Sequence, residues 1–130
     1  MSLQLVKPPC AQVYTNVLCF DVTNEIPMTR SALHLILHVL VPGLTARLAF
    51  STQWQRAWFV MLLTMLIDLD HLLATPVYDP NRCSIGFHPL HSSIAIGLYC
   101  GLTLLPASRI VGIGLLIHMV LDGIDCLFME

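Results

Sequence analysis

The stretch TMLIDLDHLLATPVYDPNRCSIGFHPLHSS, residues 64–93, continues an apolar run, Trp58-Phe59-Val60-Met61-Leu62-Leu63, and then carries Asp68, Asp70 and His71, with His88 and His91 after them. The meaning of charges at the end of an apolar helix depends on the medium around that helix. Composition identifies the medium first. The chain has 130 residues, 56% of them hydrophobic and 11% charged, where an ordinary soluble domain carries about 25% charged residues. Its mean hydropathy is +0.77. Such a chain is suited to a lipid surrounding and reads as one small membrane domain.

Four apolar segments have helical length: residues 33–50, 57–74, 91–105 and 110–128. A membrane helix needs about 20 apolar residues, with about 17 as the lower limit, so four spans use most of the chain. The first two are joined by the polar turn at 51–56, flanked by Trp54 and Trp58 in the manner of interfacial aromatics. The last two are joined by Pro106-Ala107-Ser108-Arg109, a connection that fits only an antiparallel hairpin. The fold expected is all-α, a four-helix transmembrane bundle with both termini on the same side. A soluble bundle would need a charged outer stripe, and none of the four segments has one. Residues 1–29, interrupted by Pro8, Pro9, Asn16 and Pro27, read as a flexible N-terminal tail, with Met28 a candidate physiological start. Residues 30–130 form the membrane domain.

The polar residues concentrate at one end of that bundle. His34 and His38 are in the first turns of helix one, Asp68, Asp70 and His71 in the last turns of helix two, His88 and His91 at the approach to helix three, and His118, Asp122 and Asp125 in the last part of helix four. Residues three or four apart share a helical face, which groups His34 with His38, Thr64 with Asp68 and His71, and His118 with Asp122 and Asp125. An aspartate at the centre of a membrane helix costs about 2.5–3.5 kcal/mol. Four aspartates with six histidines therefore need a common purpose, and only Arg30 and Arg82 lie near enough to neutralise them. A divalent cation supplies the missing charge. Zinc matches a set of imidazoles and carboxylates best, with manganese or iron also compatible. The candidate ligands are His34, Asp68, His71, His88, His91, His118 and Asp122. They exceed what one ion needs, so the site is dinuclear or the surplus orients the ligands.

The order of these elements resembles that of the small bacterial membrane-bound metal-dependent hydrolases. The residues that carry the likeness are His34, DLDH at 68–71, HPLHS at 88–92 and HMVLD at 118–122, within about residues 31–126. The resemblance implies a zinc-type hydrolase of the bacterial cytoplasmic membrane. In such an enzyme Asp68, His71, His118 and Asp122 would hold the metal, with His34, His88 or His91 completing the site and Asp70 acting as general base. A lipid or phosphoester-like substrate at the membrane interface is the corresponding partner.

The competing class is a non-enzymatic membrane protein whose His/Asp cluster binds metal or locks helix packing. An ion conductor is disfavoured because the polar residues stop at one end. Nucleic-acid binding is unsupported, since the six basic residues form no patch. No feature of the sequence bears on oligomeric state. Arg47, Arg56 and Arg109 at the end without histidines, against Arg30 and Arg82 at the other, orient the histidine-rich end to the extracytoplasmic side by the positive-inside rule. An oxidising exterior would permit a disulfide between Cys83 and Cys126, whereas Cys100 lies mid-helix and reads as inert.

Overall fold

A computed structural model describes residues 22–77, 79 and 82–129. Four helices run in chain order as α1 (Val22–Ala49), α2 (Trp54–Leu63), α3 (Ser93–Leu104) and α4 (Arg109–Cys126), with no strand among the described residues. The all-α expectation holds. The tail expected over residues 1–29 lies, up to residue 21, outside the described residues, and α1 starts ahead of the expected boundary. Arg30 near the start of α1 pairs with Asp125 near the end of α4 at 2.8 Å, so these two ends share one side of the bundle.

The second apolar segment departs from a continuous α-helix. After Leu63 the chain tightens into a 3-10 helix over Thr64–Leu73. Thr64 Oγ1 donates to Met61 O at 2.6 Å at the point of change, a local side-chain bond of the kind that competes with regular helix geometry. With three residues per turn, positions three apart eclipse. Accordingly Thr64 and Asp70 are buried, with Ile67 half-buried between them, while Leu63, Leu66, Leu69 and Leu72 form the exposed edge. This corrects the expected grouping: Thr64 shares a face with Asp70, while Asp68 and His71 occupy the next one.

The start of the third segment also differs. His91 ends a separate 3-10 turn, Pro89–His91. Helix α3 begins after it, with Ser92 as its N-cap accepting from Ala95 N at 3.3 Å. Pro89 sets an extended residue before itself, His88, and thereby the turn that returns His91 to the bundle.

Close helix contacts depend on small residues in α4. A Cβ on Gly112 would meet Thr103 N at 2.7 Å and the Leu102 carbonyl carbon at 2.9 Å, and one on Gly114 would meet Met61 Cα at 3.0 Å. Around these contacts lie two small apolar clusters, Ala95, Tyr99, Leu115 and Met119 in one and Ala46, Ala57 and Met61 in the other. The outer surface is strongly apolar: Leu48 is 75% exposed and Ile94 78%. The interior holds His38, Asp70, His88, His91, His118 and Asp122. By length and composition, Arg30–Ala49 is the one helix among the described residues able to cross a membrane. The other segments are split by the 3-10 turn, short at 12 residues in α3, or charged in α4.

Candidate metal centre

Four side chains from three parts of the chain meet at the histidine-rich end. Helix α4 supplies His118 and Asp122, one turn apart on its buried face; the 3-10 segment supplies Asp68; the Pro89–His91 turn supplies His91. His118 Nε2 lies 3.0 Å from Asp68 Oδ1 and 3.5 Å from Asp122 Oδ2. His91 Nε2 lies 3.3 Å from Asp68 Oδ1, 3.2 Å from Asp122 Oδ2 and 3.4 Å from His118 Nε2. Each residue thus offers one ligand atom to a common point, and the set can hold a metal ion. Two further groups of this kind are His34, His38 and Asp122, and Asp70, His71 and His91.

The protonation pattern decides what these atoms present to one another. Asp70 Oδ2 lies 3.2 Å from His91 Nδ1. A carboxylate oxygen accepts, so Nδ1 of His91 carries a proton, and Nε2 is the ring nitrogen directed at Asp68 and Asp122. With Nε2 deprotonated, a cation between these atoms would take its lone pair together with those of the carboxylates. Among the described residues three buried atoms lack any hydrogen-bond partner: His38 Nε2, His118 Nδ1 and Asp122 Oδ2. Each such atom costs about 1–3 kcal/mol, whereas a zinc ion bound by a complete ligand set contributes about 10–16 kcal/mol. Among the described residues Asp68, Asp70 and Asp122 form ion pairs with histidines alone. The donor set, nitrogen and carboxylate oxygen, fits a divalent cation.

Asp70 organises this centre from behind. It is buried, and its two oxygens serve different partners. Oδ2 accepts from Leu90 N at 2.9 Å as well as from His91, while Oδ1 lies 3.1 Å from His71 Nδ1. Tyr99 Oη donates to Leu90 O at 2.9 Å, so the residue before His91 is held by both its amide and its carbonyl. His71 is oriented in turn by Ser84 Oγ, 3.1 Å from its Nε2. His88 stacks on His71 with ring centroids 3.8 Å apart. Burial and the neighbouring His71 lower the His88 pKa, which favours its neutral form. His88 belongs to none of the three groups. A disulfide joins Cys83 in the loop to Cys126 at the end of α4, as the sequence permitted, and Cys100 is free and exposed.

Of the residues expected to bind metal, the structure thus brings Asp68, His91, His118 and Asp122 into one group, places His34 in a second through Asp122 and His71 in a third through Asp70, and leaves His88 packed beside them. Sequence reasoning did not single out Ser84 and Tyr99, whose roles arise from contacts with the loop. It noted His38 without placing it at the site. Pairing with His34 at helical spacing was its only signal.

Fold and site together define an all-α protein with a buried His/Asp cluster able to hold a metal ion. The chain belongs to a family of unknown function, DUF6122, which matches residues 28–129. No curated protein and no solved structure matches it. The likeness to membrane-bound metal-dependent hydrolases rests on the shared motifs alone.

Proposed function

We propose that this is an integral membrane protein that binds a divalent cation, zinc by preference, and uses it to hydrolyse a lipid or phosphoester-like substrate at the membrane interface. The observation that carries the reading is the convergence of Asp68, His91, His118 and Asp122, with the buried and unsatisfied Asp122 Oδ2 among their facing atoms. Three of the four are buried, but the Asp68 side chain is 42% exposed. That opening favours a site that admits water and substrate over a sealed packing device.

Membrane insertion is supported by the inverted surface, apolar outside and polar inside, which in water would expose far more contiguous apolar area than soluble monomers carry. Length is sufficient in more than one segment. The ten α-helical residues of α2 and the ten 3-10 residues after them reach about 35 Å, against a hydrocarbon core of about 30 Å.

A divalent ion at this position supplies a Lewis acid and lowers the pKa of water toward about 7. Asp68, His91, His118 and Asp122 would hold it. Asp70 keeps the proton of His91 on Nδ1, which leaves Nε2 free for the ion. Asp70 also faces His71 Nδ1, and His71, partly exposed and 3.7 Å from Asp68, is placed to take up or release a proton beside the open edge. Asp70 then acts as a positioning residue rather than as the base itself.

The test is metal content of the full chain purified in mild detergent, together with hydrolysis of phospholipid and phosphodiester substrates. The reading expects bound metal and activity in the wild type, and less bound metal with loss of activity in Asp68→Ala and His118→Ala. A metal-free wild type would sink it. Metal without hydrolysis would favour the non-enzymatic class.

A further inference from the structure

We infer that the protein holds two cations, bridged by the carboxylate of Asp122, with His34 and His38 as the ligands of the second. The inference rests on the reading that the cluster binds metal, and it adds a second site to it. Asp122 directs its two oxygens to different partners. Oδ2 faces His91 and His118, as described above, whereas Oδ1 lies 3.3 Å from His34 Nε2 and 3.4 Å from His38 Nε2.

The tautomer of His38 is set by its own helix. Its Nδ1 lies 2.9 Å from His34 O, and a carbonyl oxygen only accepts, so Nδ1 carries the proton. Nε2 is therefore the ring nitrogen directed at the carboxylate oxygen of Asp122. The side chain is 2% exposed, and Nε2 has no hydrogen-bond partner despite its closeness to Asp122. His91 is fixed the same way on the other oxygen, by Asp70. Two buried imidazoles, each with a proton held on Nδ1, thus aim Nε2 at opposite oxygens of one carboxylate. One cation answers only one half of that arrangement.

Neighbouring contacts fit the second position. His34 and His38 lie one helical turn apart with ring centroids at 4.2 Å, and both offer Nε2 to the same side. Asp125 Oδ2 lies 4.0 Å from His34 Nδ1, behind the ring, and is itself held by Arg30. This repeats at greater distance the relation of Asp70 to His91. The His38 ring packs edge-on against His118 with centroids 4.6 Å apart, so ligands of the two positions are in direct contact. A shared carboxylate between adjacent ions is the usual architecture of two-metal hydrolytic sites.

The experiment measures zinc per chain in detergent-purified full-length protein by elemental analysis, and the electron paramagnetic resonance spectrum after exchange into manganese. Two equivalents per chain and a spin-coupled manganese pair are expected in the wild type. His38→Gln and, separately, the less buried His34→Ala should each bind one equivalent and show an isolated manganese signal. His118→Ala should lose the coupling as well. One equivalent in the wild type, unchanged in His38→Gln and His34→Ala, would overturn the second site and leave the first intact. No metal in the wild type would remove both. Two uncoupled ions would overturn the bridge by Asp122.

Discussion

At the scale of single residues, the candidate centre depends on which proton each imidazole keeps. Asp70 is the clearest case, because one buried carboxylate serves His91, His71 and the Leu90 amide at once. Asp70→Asn preserves the shape but replaces one acceptor oxygen with a donor, so it cannot accept from all three. The metal should bind about 10–100-fold more weakly, the usual effect of losing an orienting partner, with secondary structure retained. Competition with a chromophoric chelator measures the affinity, and unchanged binding would show that Asp70 does not orient His91. The gathering of carboxylates and histidines at one end of the bundle was legible in the sequence from their positions along the apolar segments. The tautomers were not, because they depend on which carbonyl or carboxylate the fold places behind each ring. His38 illustrates this: its spacing from His34 was visible, but its direction toward Asp122 depends on how α1 lies against α4.

At the scale of elements, one departure from expectation had a readable cause. Leucine recurs at 63, 66, 69 and 72, every third residue, and the structure turns that row outward along the 3-10 segment. Read with a period of 3.6 residues, the same stretch left Asp70 off the face of Thr64, Asp68 and His71; read with a period of three, it places Asp70 inside with Thr64. The start of the third apolar segment shows the converse. His-Pro marks a break, but whether His91 begins the helix or precedes it is set by Ser92, which caps the helix one residue later. Close contact between α3 and α4 is the element-scale feature with the sharpest consequence. A Cβ at Gly112 would collide with backbone atoms of Thr103 and Leu102, which cannot rotate aside. Gly112→Ala should therefore destabilise the bundle by about 1–3 kcal/mol, as overpacking does. Gly97→Ala, where a Cβ meets nothing within 4 Å, should cause no loss. Thermal unfolding of the two variants in the same detergent compares them directly, and equal melting temperatures would mean that the helices are not packed this closely.

At the scale of the whole molecule, chain order and side agree on where the centre faces. The start of α1, the loop before α3 and the end of α4 meet at one end, tied by the Arg30–Asp125 pair and by the Cys83–Cys126 disulfide. The opposite end carries Arg47, Arg56 and Arg109, with Arg47 over the Trp54 ring at 5.2 Å. In a membrane, an excess of arginine marks the cytoplasmic side, and a structural disulfide belongs to the oxidising one. In a membrane-spanning arrangement both would place the His/Asp centre outside. The prediction is tested with Gln53→Cys, in the turn beside the arginines, in a background lacking Cys10, Cys19 and Cys100. In intact cells an impermeant maleimide should leave position 53 unlabelled until the membrane is broken, and Cys83 and Cys126 should resist alkylation until a reductant is added. Labelling of position 53 from outside, with Cys83 and Cys126 reduced, would reverse the orientation and turn the centre to the cytoplasm. The disulfide also closes a loop across 43 residues, a constraint that stabilises by about 4 kcal/mol on a chain-entropy account. If that loop holds His88 and His91 against the bundle, Cys83→Ser should lower the melting temperature and loosen metal binding together, whereas Cys100→Ser, at the free and exposed cysteine, should change neither.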